Sequence, residues 1–340
     1  MTRGATRYSR HELLPEWGAA GQERLRQATV LIVGCGALGA NQAQLLARAG
    51  VGRLIVADRD VPELHNLHRQ PLFDEDDVAA GTPKALAAAA RLRRINSEIA
   101  VEALVIDVNP QNVEALVARA DLVLDGADNF ETRFLLNDVC VKLGKPWIYG
   151  GVIGAEGMLL VVRPGVGPCL RCALPDLPVA GSLPTCETAG VLNAAPALIA
   201  ALQVAEACKL LLGAGEPATG MLHVDLWRAR FRTFAVRRHP DCPACGKRDF
   251  EFLTRRRESW TARLCGRNAV QVTPPAPADL ALDDLAEKLG KIGRVARNGF
   301  FLNFKIEPYE LTIFPDGRLI VKGTNDEAVA RALYAKYLGG

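Results

Sequence analysis

Two short runs, Thr29–Val33 (TVLIV) and Arg53–Ala57 (RLIVA), are apolar without alternation, as strands covered on both faces are. Between them lie a glycine-rich turn, Gly34 to Gly39, and apolar residues at helical spacing from Ala40 to Ala49. Strand, glycine turn, helix and strand make the unit of a doubly wound parallel sheet. The alternation continues. A helix is predicted over 82–95, with Thr82 as N-cap and Pro83 at the first helical position. Strands are expected at Ile99–Val105 and Leu122–Asp125, with a helix near Asn112–Ala118 between them and another from Phe130 to Leu143. Trp147–Val152, Met158–Val162, Leu222–Asp225 and Phe231–Val236 add strands, and Tyr8–Arg26 reads as partly helical. Gly165 to Gly190, rich in Pro, Gly and Cys, reads as a long irregular crossover.

The rhythm changes after Leu253. Strands at Asn268–Val272, Phe300–Ile306, Glu310–Phe314 and Leu319–Val321 alternate with helices at Leu280–Leu289 and Asp326–Leu338, and Pro315-Asp-Gly317 marks a turn. The expected architecture is α/β: a Rossmann-like, mostly parallel doubly wound sheet over residues 1–253, then a small α+β domain over 254–340. The length of 340 residues suits two domains.

Composition narrows the function class. With 41 Lys and Arg against 38 Asp and Glu, the net charge of +3 argues against a broad nucleic-acid surface. The most apolar stretch, Ala194–Leu212, contains Glu206 and Lys209 and reads as a buried or interface helix, not a membrane span. The N-terminus lacks the apolar segment of a signal peptide, so a cytosolic, membrane-free protein is expected. Nine cysteines, an odd number, argue against a disulfide framework. Four of them form Cys169-Leu-Arg-Cys172 and Cys242-Pro-Ala-Cys245, the spacing of two knuckles that share one tetrahedral zinc ion stapling the crossover to the sheet. His239 is the alternative ligand. Cys35, Cys140 and Cys208 sit in apolar elements and read as small core residues.

The remaining chemistry gathers at strand ends. Gly34-x-Gly36-x-x-Gly39 offers backbone amides and a helix N-terminus to phosphates, and Asp58, at the end of the next strand, can accept from ribose hydroxyls. Tight helix–sheet packing would also explain the glycines, and the motif alone does not choose between a dinucleotide and ATP. The polar run that follows, Asp58-Arg-Asp60-Val-Pro-Glu-Leu-His65-Asn66-Leu-His-Arg69-Gln70, favours a triphosphate. Asp60 and Asp128 supply oxygen ligands for magnesium. Arg69 can fork onto phosphate oxygens, and Lys84 can reach them as a point charge. Asp128 and Asn129 follow a strand at the nucleotide-facing edge of the sheet.

Together these residues resemble the ubiquitin-activating-enzyme-like superfamily, and within it the MoeB/ThiF-type adenylyltransferases (the HesA/MoeB/ThiF family) that activate sulfur carriers. The resemblance covers about residues 7–250. It rests on the glycine loop, D-x-D with N-L-x-R-Q, T-P-K at Thr82 to Lys84, D-x-x-D-N-x-x-x-R at Asp125 to Arg133, R-Y-S-R at Arg7 to Arg10, T-C-E-T-A-G-V at Thr185 to Val191, and both C-x-x-C pairs. It implies ATP-dependent adenylation of the C-terminal glycine of a ubiquitin-like carrier (MoaD- or ThiS-like) ending in Gly-Gly. Gly36, Asp58, Asn66, Arg69, Gln70 and Lys84 would bind ATP, and Asp128 magnesium, with Asp60 nearby. Arg10 would reach into the neighbouring subunit's site, which implies a homodimer. Cys186 stands where relatives carry a cysteine able to attack the activated carrier or transfer sulfur, with a cysteine desulfurase as a possible sulfur donor. Ala37 and His65 depart from the family pattern, where a second glycine and a serine are usual. The last 85 or so residues match no part of that pattern, and Cys265-Gly-Arg-Asn does not resemble a rhodanese loop. The terminal Gly339-Gly340 follows a predicted helix directly, unlike a flexible carrier tail. A nicotinamide-dependent oxidoreductase would explain the glycine loop and Asp58 but not the cysteine knuckles or Asp128-Asn129, and a non-catalytic carrier adaptor would leave Arg10, Lys84 and Asp128 without a role.

Overall fold

A computed structural model of the chain describes residues 7–176, 189–254, 260–264, 268–274 and 278–338, the side chains of 260–264 excepted. Backbone contacts divide the chain near residue 255 into two units.

In the first unit eight strands form one sheet: β1 (Thr29–Val33), β2 (Arg53–Ala57), β3 (Ala100–Leu104), β4 (Leu122–Asp125), β5 (Trp147–Ile153), β6 (Glu156–Val162), β7 (Met221–Asp225) and β8 (Arg230–Phe234). Their spatial order is β3-β2-β1-β4-β5-β6-β7-β8. The first five are parallel, and β6 to β8 pair antiparallel, β6 and β7 being joined through the long crossover. Strand order reverses between β1 and β4, and the crevice at the carboxyl ends of such a pair is where ligands bind in open α/β sheets.

Successive side chains of β1 feed two cores. Val30 and Ile32 pack with α2 (Ala37–Ala49), α4 (Lys84–Ile95) and α8 (Ala194–Leu212), while Leu31 and Val33 pack with α5 (Val113–Ala118) and α6 (Phe130–Leu143) on the other face. Between these lie α1 (Gly18–Gln27), α3 (Glu75–Ala80) and the one-turn α7 (Leu170–Ala173). Among the described residues α8 alone is long and apolar enough to cross a membrane, but Ile199, Ala200, Gln203, Val204, Ala207 and Cys208 bury it against α2 and β5. Cys35, Cys140 and Cys208 are buried.

Boundaries moved where caps decide them. Helix α4 starts at Lys84, with an extended Pro83 (ψ 137°) as its cap instead of Thr82, because the Lys84 amide is drawn to the Asp60 carbonyl at 2.9 Å. Helix α2 begins at Ala37, directly after Gly36.

The second unit is a six-stranded antiparallel sheet built from β9 (Trp260–Leu264), β10 (Ala269–Thr273), β11 (Arg294–Arg297), β12 (Leu302–Ile306), β13 (Tyr309–Ile313) and β14 (Leu319–Lys322), in the order β11-β12-β13-β14-β10-β9. The short α9 (Glu251–Thr254) precedes it in the chain, and α10 (Leu282–Leu289) and α11 (Glu327–Leu338) cover one face. Val270, Val272, Leu302, Phe304, Leu311, Ile313, Leu319 and Val321 alternate inward toward those helices, the period-2 pattern of a half-covered sheet. Strands β9 and β11 escaped the sequence reading. In R-V-A-R, Val295 is the only strand residue that packs against the core, so an edge strand leaves little hydrophobic signal.

Candidate active site at the strand switch point

The glycine loop folds on itself for two different reasons. Gly34 has a φ of +88°, and a side chain there would strike the Gly126 carbonyl at 2.5 Å. A side chain at Gly39 would meet the Gly34 carbonyl at 1.8 Å, and one at Gly126 would meet that same carbonyl at 2.3 Å. These three positions let the loop after β1 touch the loop after β4. Gly36 is different: the nearest atom to a side chain built there is the Gln70 amide nitrogen, at 3.8 Å. Packing does not demand a glycine at 36. An open approach to its backbone, at the N-terminus of a 13-residue helix, suits an anionic ligand. Gln70 is buried, and its Oε1 has no hydrogen-bond partner among the described residues. A buried amide oxygen left without a donor costs about 1–3 kcal/mol, which a ligand hydroxyl or amine within its reach would recover.

Asp58 directly follows β2 and faces this loop. Its Oδ2 accepts from the Cys35 amide at 2.6 Å and its Oδ1 from the Asp60 amide at 2.7 Å. Burial raises its pKa, and the nearby Lys84 ammonium opposes the rise. Lys84, the first residue of α4, is almost wholly buried, with Nζ 3.6 Å from Asp60 Oδ2. Arg59 donates to Asp107 at 2.7 Å; its burial works against the charge, but Asp107, Asp60 and Asp128 overcome this and raise its pKa. Asp58, Asp60, Asp107 and Asp128 thus share one electrostatic neighbourhood with Lys84 and Arg59. The sequence reading missed Arg59 and Asp107, which carry no motif spacing.

Asn66 and Arg69 lie in the one-turn 3₁₀ segment Leu64–Asn66 and just after it. The Asn66 Oδ1 accepts from the Glu63 amide at 3.1 Å, locking the turn. Arg69 donates to the His65 carbonyl at 2.7 Å and pairs with no carboxylate among the described residues. Arg10 is exposed and makes no hydrogen bond or ion pair within its own chain among the described residues, while Tyr8, two positions earlier, is buried and accepts from Asn96 at 2.8 Å. The chain is anchored next to Arg10, and Arg10 projects outward. Cys186 lies outside the described residues.

Across the crevice, Asp128 is exposed at the N-terminus of α6. Asn129 uses both ends of its amide: Oδ1 accepts from the Thr132 amide at 2.8 Å, capping α6, and Nδ2 donates to Asp128 Oδ1 at 3.1 Å. The other Asp128 oxygen makes none of these contacts. An exposed carboxylate beside buried cations fits the all-oxygen ligand set of magnesium.

The second C-x-x-C pair meets the first as the spacing predicts. The sulfurs of Cys169, Cys172, Cys242 and Cys245 all lie within 4.8 Å of one another, with Cys169–Cys242 at 3.6 Å and Cys172–Cys245 at 3.4 Å. Four sulfurs on a tetrahedron with zinc–sulfur bonds of about 2.3 Å are about 3.8 Å apart, so the donor set fits. The lobe is docked on α6: Asn137 Oδ1 accepts from the Leu170 amide at 2.9 Å, and Asp138 Oδ2 from the Phe252 amide at 3.1 Å.

Residues 8–244 match the model of the ThiF family, more than half of the chain. The chain belongs to the ThiF family. Among relatives, it is 43% identical to the sulfur carrier protein ThiS adenylyltransferase of Bacillus subtilis over 98% of this chain and 99% of that protein. It is 44% identical to the sulfur carrier protein adenylyltransferase of Thermus thermophilus over 71% of this chain and 90% of that one. The second unit is therefore shared with the first relative and lies beyond the ThiF match. Among solved structures, Escherichia coli MccB crystallised with ATP matches at a TM-score of 0.63 and 28% identity, covering 72% of this chain and 75% of that one. The ThiF assignment agrees with the resemblance carried by the motifs, and the doubly wound sheet is the fold it implied.

Proposed function

We propose that this ThiF-family chain uses ATP to adenylate the C-terminal glycine of a ubiquitin-like sulfur-carrier protein, releasing pyrophosphate and leaving an acyl-adenylate ready for thiocarboxylate formation. The near-full-length identity to a ThiS adenylyltransferase carries this reading. Residues 1–253 make up the adenylating domain, and 254–340 an appended α+β domain.

A carrier carboxylate is already a nucleophile, so attack on the α-phosphorus needs no protein base. What the site must supply is alignment and charge. Gly34, Gly36 and Gly39 present the loop and helix N-terminus to the phosphates. Asp58 faces the ribose, and Asn66 and Gln70 line the same wall. Lys84 and Arg69 offset charge on the phosphates as pyrophosphate departs. Asp128, oriented by Asn129 and with Asp60 nearby, would hold magnesium, which when bound screens the triphosphate. Arg10, without a partner in its own chain among the described residues, completes the site of a second subunit, so the working unit is a homodimer. Cys169, Cys172, Cys242 and Cys245 would hold one structural zinc ion. Cys186 belongs to a later step, in which sulfur arrives from a donor such as a cysteine desulfurase.

Carrier-dependent ATP–pyrophosphate exchange tests the reading. Arg69→Ala and Asp128→Ala should lower exchange about a hundredfold or more, since a preorganised charge contact is worth on the order of 3 kcal/mol in such sites. Cys186→Ala should leave exchange intact and impair sulfur transfer. A folded protein that exchanges with no carrier ending in Gly-Gly would overturn it.

A further inference from the structure

We propose that Arg133 and Asp125 are positioning residues whose task is to hold the Asp128 carboxylate at the orientation that takes magnesium-bound nucleotide; this rests on the proposed role of Asp128. Both are buried, Asp125 at the end of β4 and Arg133 in the first turn of α6. Asp125 Oδ1 accepts from the Ala127 amide at 2.9 Å, while its Oδ2 takes Arg133 Nε at 3.1 Å and the Gly150 amide at 3.3 Å. Arg133 Nη2 donates to the Ala127 carbonyl at 2.9 Å and the Gly150 carbonyl at 3.1 Å. The peptide groups on both sides of Ala127, immediately before Asp128, are therefore gripped, one by each partner.

The guanidinium is also packed between rings, with its carbon 5.1 Å from the Phe130 centroid and 5.3 Å from that of Tyr149. Its plane is fixed, so the two donor directions are fixed as well. Gly126, on the near side of the same loop, rests against the Gly34 carbonyl. On the far side Asn129 caps α6 and donates to Asp128 Oδ1. The backbone is held from Gly126 to Asn129, and only the Asp128 side chain faces out. A buried pair that served stability alone could be replaced by apolar side chains at little cost. Here the hydrogen bonds tie the two peptide groups flanking Ala127, beside a metal-binding candidate, to Gly150 of β5, and a planar fork reaches two carbonyls and a carboxylate where a lysine reaches one point.

The test compares ATP binding by calorimetry with and without magnesium, using the full chain. Arg133→Lys should weaken ATP binding in magnesium about tenfold and leave binding in EDTA within twofold, with the fold retained by circular dichroism. In an Asp128→Asn background the same substitution should add no further magnesium-specific loss. Asp125→Asn, which keeps the shape but removes the charge that holds Arg133, should show the same magnesium-specific loss and serves if Arg133→Lys does not fold. Equal weakening with and without magnesium, or a loss that adds fully to that of Asp128→Asn, would overturn the inference alone. If Asp128→Asn itself leaves magnesium-dependent binding unchanged, the role of Asp128 falls, and the inference with it.

Discussion

The glycine loop yields a sharp contrast between two single substitutions. At Gly39 an added methyl would sit 1.8 Å from the Gly34 carbonyl, a backbone atom that cannot swing away, and 3.3 Å from Ile32. Relieving it must separate α2 from the β1 loop, and overpacking of this kind costs about 1–3 kcal/mol or more. For a unit of about 250 residues each kilocalorie moves Tm by roughly 2–4 °C, so Gly39→Ala should melt about 2–12 °C lower. At Gly36 the same methyl meets nothing closer than 3.8 Å, so Gly36→Ala should keep its stability within about 1 kcal/mol. It would stand instead in the path to the loop amides. Losing one charge-assisted hydrogen bond to phosphate removes about 1.5–3 kcal/mol, or roughly 10- to 150-fold in ATP affinity. Thermal unfolding and ATP calorimetry on both variants decide it. If Gly36→Ala melts as low as Gly39→Ala, or binds ATP as tightly as the parent, the division between packing and ligand glycines is wrong.

Three further outcomes are expected. Chelation that strips one zinc per chain, or Cys172→Ser, should lower the melting temperature by more than about 5 °C, and an unchanged melt in demonstrably zinc-free protein would remove the staple. Asp138 is buried with no hydrogen-bond partner for Oδ1 among the described residues, and burial pushes its pKa up to about 7. A carboxyl whose folded pKa is raised binds more protons folded than unfolded between about pH 4 and 7, so its ionisation erodes stability as pH rises through that window. Asp138→Asn should therefore gain on the parent between pH 5 and pH 8, by at most on the order of 3 kcal/mol, and an equal difference at both pH values in denaturant titrations would refute the assignment. Finally, Arg10→Ala and Asp128→Asn should each be inactive alone, yet an equal mixture with exchanged subunits should recover about a quarter of parental exchange, because half the dimers each regain one intact site. No recovery would place Arg10 in its own subunit's site.

The first unit was legible because its strands are buried on both faces and written as unbroken apolar runs: β1, β2, β4 and α6 match the reading residue for residue. The cysteine knuckles were legible because ligand spacing is fixed by geometry, even with 70 residues between the pairs. Less visible were residues whose meaning lies in three-dimensional company. Arg59 and Asp107 are ordinary charges in sequence and an ion pair in space. Asn129 reads as a ligand candidate, and the structure shows its amide spent on a helix cap and on Asp128. Arg133 was visible as part of a motif, but the peptide it grips was not. Edge strand β11 offered too few buried positions to register at all.

Helix α6 begins two residues after Asp128 and carries, along its second half, the contacts that seat the cysteine lobe. Its 14 residues span about 21 Å as a single rigid rod. Oxidative damage to any of the four sulfurs would therefore be felt as a slackening of the rod's anchored end.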